Sequence, residues 1–276
     1  MISNFLTCLK RKSATVVLLS FLALASGCST VPYTGRSQFL MTSLSEENSI
    51  GEQAWREVLS KERISNDAFY NTVLKESGTY LSRVAERPDF RWEFRVLENP
   101  EVNAFCLPGG KVAVYTGLFG FCSNEAELSA VVGHEIGHAI ARHGGERMTQ
   151  QLIQQAGAEI VKASLGASGK TEAWLTAYAG VSNVGIILPY SRVHEYEADR
   201  IGMILMAKAG YDPNAALSFW EKMSAKENSV SALMEFLSTH PISSNRIAEM
   251  KKVLPEAQKF YQSAPVKRGT GRNIGK

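Results

Sequence analysis

Apolar residues recur at helical spacing in two stretches of the first third of the chain. Glu46 to Leu59 carries Trp55, Val58 and Leu59, and Asp67 to Glu86 carries Phe69, Val73, Leu74, Tyr80, Leu81 and Val84. Pro88 stops the second. The period then shortens to two. Arg91 to Leu97 places Trp92, Phe94 and Val96 on one side, and Val102 to Leu107 and Lys111 to Tyr115 flank the turn signal Pro108-Gly109-Gly110. After Asn124 the pattern is helical again. The chain has neither an internal repeat nor a low-complexity insert. The expected fold is therefore α+β, mostly helical, with a small sheet of about three strands, in one domain spanning residues 46–262.

The N-terminal pattern differs. Lys10, Arg11 and Lys12 precede an uncharged apolar segment from Ala14 to Ala25, too short for a membrane span and suited to a signal peptide over 1–27. It runs through Leu24-Ala25-Ser26-Gly27 into Cys28, which resembles a bacterial lipobox. Cys28 would then carry lipid and anchor the protein to a membrane, with a periplasmic, outer-membrane address. Residues 28–45 read as a tether. Residues 263–276, rich in Gly, Lys and Arg, read as a disordered basic tail.

Charge follows from the same cleavage. The formal +3 falls to zero once the three basic residues of the leader are gone, so nothing argues for nucleic acid as a partner. Two cysteines, Cys106 and Cys122, remain in the folded body. In an oxidising compartment they form a candidate disulfide, the alternative being two buried thiols.

Chemistry enters near the middle, at Gly133-His134-Glu135-Ile136-Gly137-His138. The apolar run before it makes this a helix, so His134 and His138 leave one face about one turn apart. That separation suits two ligands of a tetrahedral zinc ion, one ion per chain. Glu135 lies roughly 100° round the helix, placed to reach water activated by the metal and act as general base. A third ligand must come from elsewhere. His143 lies one place short of a metzincin third histidine and reads as a helix-end residue. In Ser191-Arg192-Val193-His194-Glu195-Tyr196-Glu197-Ala198-Asp199-Arg200, Glu195 and Asp199 share a face as i and i+4. Glu195 would bind the metal, and Asp199 would accept a hydrogen bond from the free nitrogen of a ligand histidine. His194 and Glu197 read as structural.

The two segments together, H-E-I-G-H-A-I-A-R-H and S-R-x-x-E-Y-E-A-D-R, resemble the paired signatures of the zinc metallopeptidases that include HtpX and the CAAX prenyl proteases, and more closely their periplasmic lipoprotein relatives. The resemblance runs from about Glu46 to Leu254. It implies a zincin-like metallopeptidase domain of gluzincin type, with His134, His138 and Glu195 on zinc and Glu135 as base. It further implies that Asn103, Ala104 and Phe105 form a strand beside the cleft, where an extended substrate adds by backbone hydrogen bonds. His240, in Thr239-His240-Pro241, would stabilise the oxyanion, with Arg246 orienting it. His240 could also ligate zinc in a resting state. The loop or helix pair between Gly145 and Pro189 could then act as a lid, for which Gly166, Gly169, Gly180 and Gly185 offer hinge positions.

The function so implied is endopeptidase hydrolysis of protein or peptide substrates in quality control of the cell envelope. Two rivals stand beside it: a chaperone-like lipoprotein that binds misassembled outer-membrane proteins, and a structural zinc protein. A structural site is usually closed by four Cys-rich ligands, whereas this one offers three firm ligands and an adjacent base.

Overall fold

The computed structural model describes residues 28–165, 191–226, 233–269 and 272–274. Five strands and nine helices are traced among them. Strands β1 (Cys28–Thr30) and β2 (Ser37–Phe39) form an antiparallel hairpin. Helices α1 (Leu44–Lys61) and α2 (Ala68–Val84) follow, then β3 (Glu93–Leu97), β4 (Ala104–Leu107) and β5 (Lys111–Tyr115). A short α3 (Thr116–Phe119) leads into α4 (Glu125–Ile140), α5 (His143–Leu165), α6 (Arg192–Lys208), α7 (Asn214–Lys226), α8 (Met234–Thr239) and α9 (Ser244–Ser263). The architecture is the expected one, mostly helical with a small sheet.

Local chemistry sets the element ends. Ser43 and Glu46 close a capping box at the start of α1, and Asp67 caps α2 by accepting from the amide of Tyr70 at 2.9 Å. Asn124 caps α4 through the amide of Glu127, and Ser191 caps α6 through that of His194. Ser243 accepts from the amide of Arg246 at 3.2 Å, which fixes Arg246 in the first turn of α9.

The three-stranded sheet has the order β3-β5-β4. The tight turn folds β4 back on β5 antiparallel, pairing Phe105 with Ala113, while β3 pairs parallel with β5, Phe94 beside Val112. This leaves β4 as an edge. Helix α4 is buried along its whole length. It packs against β4, α2, α6 and α7, and α9 covers the outer side of α6. Such a helix cannot be amphipathic, because every face meets protein.

The contact of α4 with α6 is unusually close because both helices present glycine there. A Cβ at Gly137 would lie 2.8 Å from the Ala198 carbonyl oxygen, and one at Gly202 would lie 2.7 Å from the His134 amide nitrogen. The two backbones touch beside His134 and Ala198, inside the two segments the sequence singles out.

Two stretches expected to lie outside the domain fold onto it. Residues 28–45, read as a tether, include the hairpin and bury Val31 and Leu40, and Arg36 pairs with Glu146 and Glu197. The tail, read as disordered, returns along the body where it is described: the Arg268 amide donates to the Gly210 carbonyl at 2.7 Å, Arg272 pairs with Glu76 and Glu125, and Ile274 is buried. Its charges meet acidic partners that adjacent sequence does not reveal. The expected leader, and hinges Gly166, Gly169, Gly180 and Gly185, lie outside the described residues. Among the described residues no helix is long and apolar enough to cross a membrane.

Candidate active site

All five histidines of the chain are buried. Three of them, His134 and His138 from α4 and His240 from the end of α8, converge with Glu195 from α6, each offering one atom to a common point. His134 Nε2 stands 3.1 Å from His138 Nε2, 3.3 Å from His240 Nδ1 and 3.5 Å from Glu195 Oε2. Glu195 Oε1 stands 3.3 Å from His138 Nε2 and 3.4 Å from His240 Nδ1. A tetrahedron with arms of ~2.0–2.1 Å, the length of zinc–nitrogen bonds, has edges of ~3.3–3.4 Å. The donor cage has that size.

The electrostatics point the same way. Neither oxygen of Glu195 accepts a hydrogen bond among the described residues, although Arg246 Nη1 lies 2.8 Å from Oε2 in a misaligned ion pair. A buried carboxylate left without donors calls for a cation. Burial opposes ionisation of Glu195, yet Arg246 and the neighbouring imidazoles hold its carboxyl well below the usual range. Burial pushes His138 well below its ordinary value, so its ring stays neutral as a ligand requires.

A second layer fixes the first. Asp199 Oδ1 lies 2.9 Å from His134 Nδ1, on the side of the ring away from the cage. The same carboxylate receives Arg246 in a two-point pair, Nε to Oδ2 at 2.6 Å and Nη2 to Oδ1 at 2.8 Å. Against the opposing effect of burial, the Asp199 and Glu195 carboxylates raise the His134 pKa to about 9. The Arg246 guanidinium stacks 3.9 Å above the Trp220 ring and reaches the backbone carbonyls of His240 and Pro241 at 3.4 Å each. It therefore touches His240 through the main chain.

Glu135 is buried beside the cage. Its Oε1 has no hydrogen-bond partner among the described residues and lies 3.4 Å from His240 Nε2. Burial raises its carboxyl above the ordinary value.

Asn103 is spent on local structure: its Oδ1 accepts from the Ala104 amide at 2.8 Å, and its carbonyl accepts from the Tyr115 amide at 2.9 Å. Ala104 and Phe105 lie in edge strand β4. Cys28 opens β1. Cys106 and Cys122 are not joined. Both are free, buried thiols whose pKa burial pushes up, so the disulfide expectation is replaced by its alternative.

Three groups read as structural prove connected to the cage. His143 Nδ1 is 2.9 Å from His138 Nδ1, and its Nε2 is 3.1 Å from Glu197 Oε2. His194 Nε2 is 3.0 Å from Glu146 Oε2, and its ring stacks on His143 at 4.2 Å. Burial lowers the His143 pKa to about 4. Against burial, hydrogen bonds from His143, Thr34 and Arg36 hold Glu197 down at about 2. The signal available was composition: all the histidines of this chain fall in or near the motifs.

Comparison with known proteins agrees with this geometry. The profile of Peptidase family M48 matches residues 68–254. The chain is 38% identical over 237 residues to mitochondrial metalloendopeptidase OMA1 of Schizosaccharomyces pombe, covering 83% of this chain and 67% of that one. It is 32% identical over 225 residues to mitochondrial metalloendopeptidase OMA1 of Arabidopsis thaliana, covering 79% of this chain and 43% of that one. It is 28% identical over 254 residues to the beta-barrel assembly-enhancing protease of Escherichia coli K12, covering 87% of this chain and 52% of that one. The signatures resembled the HtpX and CAAX prenyl protease branch; what the comparison shows is the family as a whole.

These relatives correct one expectation. The periplasmic, lipid-anchored, outer-membrane address is overturned, because the relatives matched at higher identity are named for the mitochondrion. A basic, acid-free leader is common to secretory and organellar targeting segments, so its composition did not discriminate between them.

Proposed function

The chain belongs to peptidase family M48 and is a metalloendopeptidase, and from that premise we propose that zinc is its metal and extended segments of misfolded or membrane-associated proteins are its substrates. The observation that carries the metal is the cage: three imidazole nitrogens and one carboxylate oxygen at tetrahedral spacing. Nitrogen-rich donors in that geometry suit zinc rather than calcium or magnesium, which favour oxygen shells.

Zinc held by His134, His138 and Glu195 supplies a Lewis acid that polarises a peptide carbonyl and makes water nucleophilic near neutral pH. Glu135, with an oxygen unclaimed by any described donor, takes the proton of the attacking water and delivers it to the departing amine. Asp199 keeps His134 in the tautomer that presents Nε2, and Arg246 keeps Asp199 in place. Four converging protein donors describe a closed cage, whereas a catalytic site keeps one position open. We assign His240 as the group that withdraws. Once off the cage it donates to the developing oxyanion; it caps the short helix α8, whereas His134, His138 and Glu195 stand within the buried helices α4 and α6. The edge of β4 offers backbone groups along which an extended substrate pairs near Ala104 and Phe105. The β-barrel assembly-enhancing relative supports substrates of the membrane-associated class.

Digestion of casein and a peptide library by the purified protein, with and without a chelator and with zinc measured on the same sample, tests this reading. Zinc near one per chain with chelator-sensitive internal cleavage is expected. Tight binding of unfolded protein without cleavage by the zinc-loaded form would replace it with the chaperone-like rival.

A further inference from the structure

We propose that His143 and Glu197 position the ligand His138, and that the N-terminal hairpin, through Thr34 and Arg36, is a working part of the metal site. The inference rests on the metal reading above.

The contacts leave one consistent arrangement of protons. His138 turns Nε2 to the cage, so a neutral His138 carries its proton on Nδ1, and Nδ1 lies 2.9 Å from His143 Nδ1. That His143 nitrogen must then accept, which puts the His143 proton on Nε2, 3.1 Å from Glu197 Oε2. Glu197 is an acceptor only and completes the chain. Were His143 to carry its proton on Nδ1 instead, either two N–H groups would face each other or His138 would have to protonate the nitrogen it offers to the metal. Glu197 decides the matter through a single interposed imidazole.

Glu197 is itself held by the hairpin. Thr34 donates its hydroxyl to Oε1 at 2.6 Å, and Arg36 donates Nε to Oε2 at 2.9 Å. The other end of Arg36 grips Glu146 at 3.0 and 2.7 Å, and Glu146 holds His194, whose ring lies against His143. The two ligand histidines of α4 are thus backed in parallel. Arg246 holds Asp199, which meets His134 directly; Arg36 holds Glu197, which meets His138 through an interposed imidazole. Both carboxylates stand on α6, two residues apart in sequence. The difference lies in the source of the arginine: Arg246 belongs to the helical core, Arg36 to the segment between two short strands.

The test uses the full chain and measures the zinc dissociation constant by chelator competition, alongside thermal stability of the zinc-free form. His143→Phe should weaken zinc binding by ~10- to 100-fold, the range seen when a group behind a metal ligand is lost. His143→Gln, which can both accept and donate, should recover part of that loss. Glu197→Gln and Arg36→Ala should each weaken binding by ~10-fold. Arg200→Ala serves as control, because Arg200 fastens the same hairpin through the Tyr33 carbonyl without touching the relay; its zinc affinity should match wild type. Should His143→Phe fail to fold, Glu197→Gln and Arg36→Ala decide the question. Unchanged affinity in the relay variants overturns the proposal, as does an equal loss in Arg200→Ala, which would make the hairpin a mere latch. Wild-type protein that binds no zinc would instead sink the metal reading on which it stands.

Discussion

Asp199 Oδ1 lies 2.9 Å from Nδ1 of His134, on the face of the ring turned away from the metal cage. His134 is thereby oriented by a residue outside the candidate metal group, and that residue is pinned in turn by a buried arginine. Substituting Asn for Asp199 keeps an acceptor for the ring but breaks the pair with Arg246. Zinc affinity should fall by ~10- to 100-fold, read by chelator competition, with peptide hydrolysis at saturating zinc reduced less than affinity.

Glu135 is buried beside the cage, 3.4 Å from His240 Nε2. Glu135→Gln should retain zinc and fold while kcat falls by at least ~10²-fold, the contribution typical of a positioned base. Metal analysis and peptide hydrolysis on one preparation check this. Undiminished cleavage by the variant would contradict the assignment.

His240 Nδ1 sits within 3.3 and 3.4 Å of the ligand atoms of His134 and Glu195. On the proposal that His240 ligates the metal at rest, an inhibitor that coordinates the metal displaces it. His240→Ala should therefore bind a hydroxamate more tightly than wild type, by ~10-fold if displacement costs about 1.4 kcal/mol. Titration calorimetry on zinc-loaded protein measures the difference, and equal or weaker binding argues against His240 as a resting ligand.

Removing the metal should cost stability. Glu135, Glu195 and Asp199 are buried carboxylates, and the buried guanidinium of Arg246 pairs with the latter two. Free zinc at one hundred times its dissociation constant should stabilise the fold by ~2.7 kcal/mol. Calorimetric scans with and without chelator should show a lower Tm for the stripped protein, recovered on adding zinc back.

The helix crossing that builds the cage tolerates no side chain. A methyl at Gly202 would press on the His134 amide, and neither partner is a flexible side-chain end. Gly202→Ala should destabilise the protein by ~1–3 kcal/mol in denaturant unfolding and also weaken zinc binding, since His134 moves with its backbone.

Much of this site was legible along the chain, because its chemistry is written in helical spacing. His134 and His138, and likewise Glu195 and Asp199, are four apart, and that alone puts each pair on one face. The strands around Pro108-Gly109-Gly110 were legible for the same kind of reason, since alternation and a turn signal act over a few residues. What adjacent residues do not specify is which faces meet. The parallel pairing of β3 with β5, the glycine contact that brings α4 against α6, and the return of the tail to Glu76 and Glu125 all join residues far apart in sequence. The contacts of His143, Glu197 and Arg36 were hidden for that reason: each is an ordinary polar residue until folding brings partners to it from distant segments. Residue type and spacing determined the chemistry this protein carries; only tertiary packing decided how many groups close around the metal and which segments hold them there.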